Sequence, residues 1–152
     1  MLSFYAQEDY AATVFRIQLS VEQLQKSVLL FLGIQFRKTH EPSRVIDSVI
    51  YDSDVELDEE IVENLKNLSR IAKIIEKEET TTRYGIERDD EIIPPEEIYD
   101  KKKTRHFLKS LIDILCIVAS LIEEFPSLEK PSEELNIIAK KMEVLLDEGV
   151  SE

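Results

Sequence analysis

Residues 10–36, YAATVFRIQLSVEQLQKSVLLFLGIQF, decide the fold class. The apolar positions Val14, Ile17, Val21, Leu24, Val28, Phe31 and Leu32 are separated by steps of three and four until the final adjacent pair. That spacing lines one side of a helix, and no proline interrupts it. Three further stripes repeat the pattern. Ile61, Leu65, Leu68, Ala72 and Ile75 follow Asp58, which is placed to cap a helix whose first turn carries Glu59 and Glu60. Leu108, Leu111, Leu115, Val118 and Ile122 follow Asp100 as cap, with Pro126 as stop. Leu135, Ile138, Ala139, Met142 and Leu145 follow Ser132 as cap, with Gly149 just past the end.

Between Leu111 and Ile122 the third stripe is apolar on nearly all sides, which predicts a central, buried helix. Pro42 to Tyr51 opens with proline at a first-turn position and predicts a helix of two to three turns. The expected fold is all-α: an up-and-down antiparallel bundle of four to five helices. Its exception is a long irregular loop at about 80–98, TTTRYGIERDDEIIPPEEI, with no helical period. Connections longer than about 12–15 residues in a compact domain tend to carry function. Ile92 and Ile93 within it call for a surface to lie on.

The 152 residues carry 32 acids and 19 bases, a formal charge of −13. Length and composition fit one domain over 1–152, with 130–149 as an extra C-terminal helix. Three glycines and no tryptophan argue against a turn-rich all-β fold. The single cysteine, Cys116, excludes an internal disulfide framework and a multi-cysteine zinc site. Its apolar setting predicts a buried, inert thiol. The acidic balance disfavours broad attraction to nucleic acid or anionic lipid. No apolar stretch is long enough to span a bilayer, and MLSFYAQEDY lacks the basic region of a signal peptide, so a soluble, cytoplasmic protein is expected. The run from Asp52 to Glu63 holds seven acids and no base, and reads as a solvated linker.

Residues that usually carry catalysis are sparse. The histidines are His40 and His106; there is no HExxH, no glycine-rich phosphate loop and no GxSxG elbow. No cofactor or metal follows from these residues. What stands out is a set of cations at predicted helix ends. Arg37, Lys38 and His40 end the first long helix, where positive charge suits the dipole. Arg83 and Tyr84 sit in the long loop. Lys101, Lys102, Lys103, Arg105 and His106 open the third helix, where cations oppose the dipole and need nearby carboxylates or a bound anion. A bundle can gather these three places into one positive pocket. The competing reading pairs them with surface acids, which would stabilise little.

Several weak motifs in order carry a resemblance. Leu19-Ser20-Val21-Glu22-Gln23-Leu24-Gln25-Lys26-Ser27-Val28-Leu29 resembles the "A(V/A)EKALKAL" helix of the HEPN domain family (higher eukaryotes and prokaryotes nucleotide-binding). Lys38-Thr39-His40 resembles its "THxL" step, with Pro42 where the leucine would stand. Thr82-Arg83-Tyr84-Gly85 resembles "ARYP", with Gly85 replacing proline. Ile98-Tyr99-Asp100 resembles the "Y(T/S)" start of a long apolar helix. The order and spacing agree across roughly residues 10–125, and the family's helical bundle matches the fold read from periodicity.

Two departures matter. HEPN domains begin with a longer helix, whereas only nine residues precede Tyr10 here. Either the first helix is very short, or its place is filled by the Ser132–Glu148 helix or by a second chain. Ribonuclease members carry Arg-x4–6-His, and neither histidine here has that arginine: Tyr99, Asp100 and Lys101 precede His106, and Gly33, Ile34 and Gln35 precede His40. The resemblance therefore implies a non-nuclease, non-catalytic role in binding a nucleotide or similar phosphate-bearing ligand. Lys26, Arg37, His40, Arg83, Tyr84 and Arg105 are the expected site. Arginine would grip phosphate bidentately, His40 would donate a hydrogen bond, and Tyr84 would stack on a base. The family also implies a homodimer and a minimal nucleotidyltransferase as partner, as in toxin–antitoxin modules. Two alternatives stand beside it. One is a pure interaction or dimerisation module using the apolar Val28–Ile34 and Leu111–Ile122 segments. The other is a metal-independent ribonuclease with a non-standard Arg/His pair around His106.

Overall fold

The computed structural model of the chain describes residues 1–52, 57–123, 125 and 129–148. Its elements run α1 (Leu2–Ala6), α2 (Tyr10–Phe31), α3 (Pro42–Asp52), α4 (Glu59–Glu76) and α5 (Glu78–Tyr84). Then come β1 (Ile86–Arg88), β2 (Glu91–Ile93), α6 (Pro95–Ile98), α7 (Lys101–Glu123) and α8 (Glu129–Glu148). The protein is an all-α bundle. Helix α7 packs against α2, α4 and α8, while α3 lies on α4 and α5 on α2.

Most of the first three apolar stripes faces the core, while Phe31 at the end of α2 is 40% exposed. Val14, Ile17, Val21 and Val28 of α2, Leu65, Leu68, Ala72 and Ile75 of α4, and the five stripe residues of α7 are all buried. The fourth stripe is rotated. Ala139, Met142 and Leu146 are buried, whereas Ile138 and Leu145 are exposed. Ser132 sets that phase: it lies inside α8, and its hydroxyl donates to the Glu123 carboxylate at 2.9 Å with the Ala119 carbonyl 3.2 Å away. It does not cap the helix, which begins three residues earlier, at Glu129. Asp100 does cap α7, its carboxylate accepting the Lys103 amide at 2.6 Å, while the Asp58 side chain makes no capping bond to α4. Pro126 and Gly149 lie outside the described residues.

The first long helix stops at Phe31, five residues before the apolar pattern does. Gly33, at φ +72°, supplies the left-handed residue, and the Ile34 amide reaches back to the Leu29 carbonyl at 2.9 Å while the Gly33 amide reaches Leu30 at 3.0 Å. That is a Schellman stop. Arg37, Lys38 and His40 therefore sit in the connection to α3 rather than on the end of α2.

Segment 80–98 departs most from expectation, because it is ordered rather than irregular. It completes α5, forms the β1–β2 hairpin and includes α6. The hairpin pairs Ile86 with Ile93, Glu87 with Ile92 and Arg88 with Glu91 around Asp89 and Asp90, both at positive φ. Two consecutive left-handed residues make a type I′ turn, whose twist suits a two-residue hairpin. Aspartate tolerates that conformation better than most side chains, but Asp-Asp lacks the glycine that usually announces it.

Cys116 is exposed, not buried. Partial burial, then the charges of Glu143 and Asp113, push its thiol up, so it stays protonated and unreactive even though accessible. Only the five-residue α1 precedes α2, and α8 packs on α7. No helix among the described residues is long and apolar enough to cross a membrane.

Candidate functional site

Helix α2 breaks its own pattern on one side. Gln18, Glu22 and Gln25, spaced four and three apart, share a face and are buried, with Glu22 only 4% exposed. An apolar helix gains nothing from burying such a row unless each group finds partners. Glu22 does. Its carboxylate accepts from Lys26 Nζ at 2.6 Å, lies 3.4 Å from His40 Nδ1, and accepts from Gln18 Nε2 at 3.4 Å. Burial pushes the Glu22 carboxyl up, but the hydrogen bonds and charges of Lys26 and His40 outweigh it and hold the group below the usual carboxylate range.

The array continues onto α5. Glu79 lies 3.9 Å from His40 Nδ1 and 3.7 Å from the Arg83 guanidinium, and Arg83 stacks over the Phe15 ring at 5.3 Å. In the other direction Gln25 Nε2 donates to Glu76 at 2.9 Å. The Ser43 amide and hydroxyl donate to the same carboxylate, so Glu76 caps the N-terminus of α3. A cleft of about 210 Å³ opens beside it, lined by Glu41, Ser43, Arg44, Lys73, Glu76 and Lys77. That space admits a phosphate group but not a whole nucleotide.

Three buried side-chain oxygens have no hydrogen-bond partner among the described residues: those of Gln18 and Gln25 here, and Thr104 Oγ1 on α7. Each unsatisfied buried polar atom costs about 1–3 kcal/mol. A row that costs stability is a sign of a role other than holding the fold together.

Of the six residues expected at the site, Lys26, His40 and Arg83 come together here. Arg37 is exposed and makes no ion pair with a described residue. Tyr84, 71% exposed, lies outside the array, because it ends α5 and precedes the turn at Gly85. Arg105 is on α7 and does not reach it. The α7 cation that meets α5 is Lys103, 3.8 Å from Glu78 and over the Tyr99 ring at 4.4 Å. The Tyr99 hydroxyl donates to Glu78 at 2.5 Å; burial first, then Glu78, pushes its phenol up. His106 is exposed, with only Phe107 as a ring neighbour at 6.2 Å. Glu22, Glu79, Glu76 and the two glutamines were not expected. The signal for three of them was present as polar residues at i, i+4 and i+7 within an apolar helix. Among the described residues no three side chains are arranged to hold a metal ion.

The model of the HEPN domain matches residues 3–125. The chain belongs to the HEPN domain family. Searches of curated proteins and of solved structures found no match. The whole array from Phe15 to Arg83 lies within the matched part of this HEPN domain, whereas α8 lies beyond the matched residues.

Proposed function

We propose that this HEPN domain is a non-catalytic binding module that takes a nucleotide, or a similar phosphate-bearing ligand, over the Glu22 array. The observation that carries this reading is the meeting of His40, from the α2–α3 connection, and Arg83, from α5, beside the buried Glu22 and half-buried Glu79 carboxylates. Glu22 holds Lys26 and one edge of His40. The contacts of Glu79 with His40 and Arg83 exceed 3.5 Å and are loose, so both donors can turn to a phosphate without breaking a good hydrogen bond. Stacking on Phe15 keeps the guanidinium oriented, and a bidentate grip on phosphate suits it. The absence of arginine at the ribonuclease spacing before either histidine supports a binding role rather than catalysis.

Calorimetry with ATP and GTP tests this. Saturable binding is expected, weakened at least about tenfold by Arg83→Ala, the loss of one charge-assisted grip. No binding at millimolar nucleotide would end the reading.

A second reading, pairing with a nucleotidyltransferase-like partner as in toxin–antitoxin modules, is favoured by exposed apolar residues. Leu30 is 66% exposed at the end of α2, and Ile137, Ile138, Val144 and Leu145 are exposed on α8. Soluble monomers rarely leave such patches uncovered. If the neighbouring reading frame encodes such a protein, coexpression should give a stable complex that Ile137→Asp disrupts. A complex indifferent to that change would place the partner elsewhere.

A further inference from the structure

Arg16 stands on the same aromatic ring as Arg83, with no carboxylate to neutralise it. Its guanidinium carbon lies 5.9 Å from the centre of the Phe15 ring, and that of Arg83 lies 5.3 Å from the same point. The two cations therefore cannot stand farther apart than those two distances laid end to end. Like charges gathered on one ring repel unless an anion joins them. Arg83 has only its loose contact with Glu79, and none of the ion pairs among the described residues includes Arg16. On a chain with 32 acids and 19 bases, an exposed arginine without a carboxylate is out of keeping. Two rings hold it in place nonetheless, because the half-buried Phe4 of α1 meets the same guanidinium at 5.9 Å. Those contacts reduce the freedom that Arg16 would lose on gripping a ligand.

Resting on the reading that a phosphate-bearing ligand lies over the Glu22 array, we infer that Arg16 is a second anion grip of that site. The ligand then carries two linked phosphates, as a nucleoside diphosphate or triphosphate does. Arg83, beside His40, takes one phosphate and Arg16 takes the next, with Phe15 fixing both guanidiniums. The short span set by the shared ring suits neighbouring phosphates, each held by its own bidentate fork. A single phosphate needs only one fork and leaves the other arginine as uncompensated as before. Phe4 also gives the five-residue α1 a part in the site. The long-range field works against the more highly charged nucleotide, because the chain carries a net charge of −13. A preference for that nucleotide has to come from local cations.

Calorimetry on the full chain with AMP and ADP tests the inference. ADP is expected to bind at least about tenfold more tightly than AMP, the gain from one further charge-assisted grip. Arg16→Gln should bring the two nucleotides to within about threefold of each other, with AMP binding and circular dichroism as in the wild type. Arg16→Lys, which keeps the charge but not the fork, should recover part of the preference. Arg83→Ala, by contrast, should weaken both nucleotides. In nitrogen NMR spectra the Arg16 Nε signal should move with ADP and with inorganic pyrophosphate but not with AMP. Equal affinity for AMP and ADP in the wild-type chain would overturn the inference and leave the underlying reading standing. So would an Arg16→Gln chain that weakens both nucleotides alike, as a purely structural role of Arg16 against α1 would produce. Absence of binding by either nucleotide at millimolar concentration would overturn both.

Discussion

Gly85→Ala is expected to destabilise the protein by about 3 kcal/mol or more, and to detach the hairpin first. Gly85 sits at φ +76°, ψ −159°, a region that side-chain-bearing residues hardly enter. Space compounds the backbone cost. A Cβ there would run into the Ile93 carbonyl oxygen, with the Ile93 carbonyl carbon at 3.0 Å and the Pro94 Cα at 3.2 Å. All three are backbone atoms at the end of the returning strand and the residue after it, so no rotamer change relieves the clash. The chain must either lift β2 away or abandon the turn that joins α5 to β1. Gly33 is the control. It also has positive φ, but nothing lies within 4 Å of its Cβ position, so Gly33→Ala should cost only about 1 kcal/mol. Urea melts give the global difference, and amide exchange over residues 86–93 reads the hairpin separately. A Gly85→Ala protein with the parent's midpoint and hairpin protection would show that the turn tolerates a side chain.

The same glycine shows where reading from sequence stopped. Period alone found the core faces of α2, α4 and α7, because a helix repeats every 3.6 residues and its buried side must follow. It missed the end of α2, since the apolar pattern runs on through Ile34 and Phe36 while Gly33 has already turned the backbone. It misplaced the outer half of α8, where Ile138 and Leu145 fit an apolar stripe as well as Leu146 does; only the buried Ser132 and the surface of α7 choose between them. The hairpin was hidden because its turn is Asp-Asp and its strands are three residues each, too short for alternation to register. At the site, the cations Lys26, His40 and Arg83 were among the residues expected from the sequence. Their carboxylate partners were not, because Glu22 and Glu79 look like ordinary helix-surface acids until α5 packs on α2 and His40 comes between them. Arg37, Tyr84 and Arg105 were grouped with them on charge and order along the chain, which carry no information about the direction in which each side chain leaves the backbone.

Glu22 is the residue on which the array depends, and its loss is expected to cost about 2 kcal/mol at neutral pH. Removing one member of a fully buried ion pair costs about 3–5 kcal/mol, because the other charge is stranded. Here Lys26 and His40 both reach solvent, with 20% and 52% of their side chains exposed, so rehydration recovers part of that. Gln18 also loses its acceptor and becomes wholly unsatisfied. At this chain length the expected fall in Tm for Glu22→Ala is about 4–8 °C. The pH dependence separates charge from packing. The Glu22 carboxyl is held below its ordinary value in the folded protein, so its ionic contribution is complete above the usual carboxylate range. It disappears as pH falls through the folded value. The gap between parent and Glu22→Ala should therefore be widest above about pH 5 and shrink in more acid solution. Asp47, lowered by Lys73 and Ser69 against the effect of burial, makes both proteins acid-labile alike and cancels in the comparison. A gap that stays constant from neutral to acid would mean Glu22 acts through its shape. A gap that widens in acid would contradict the ion pairs on which the nucleotide site is built.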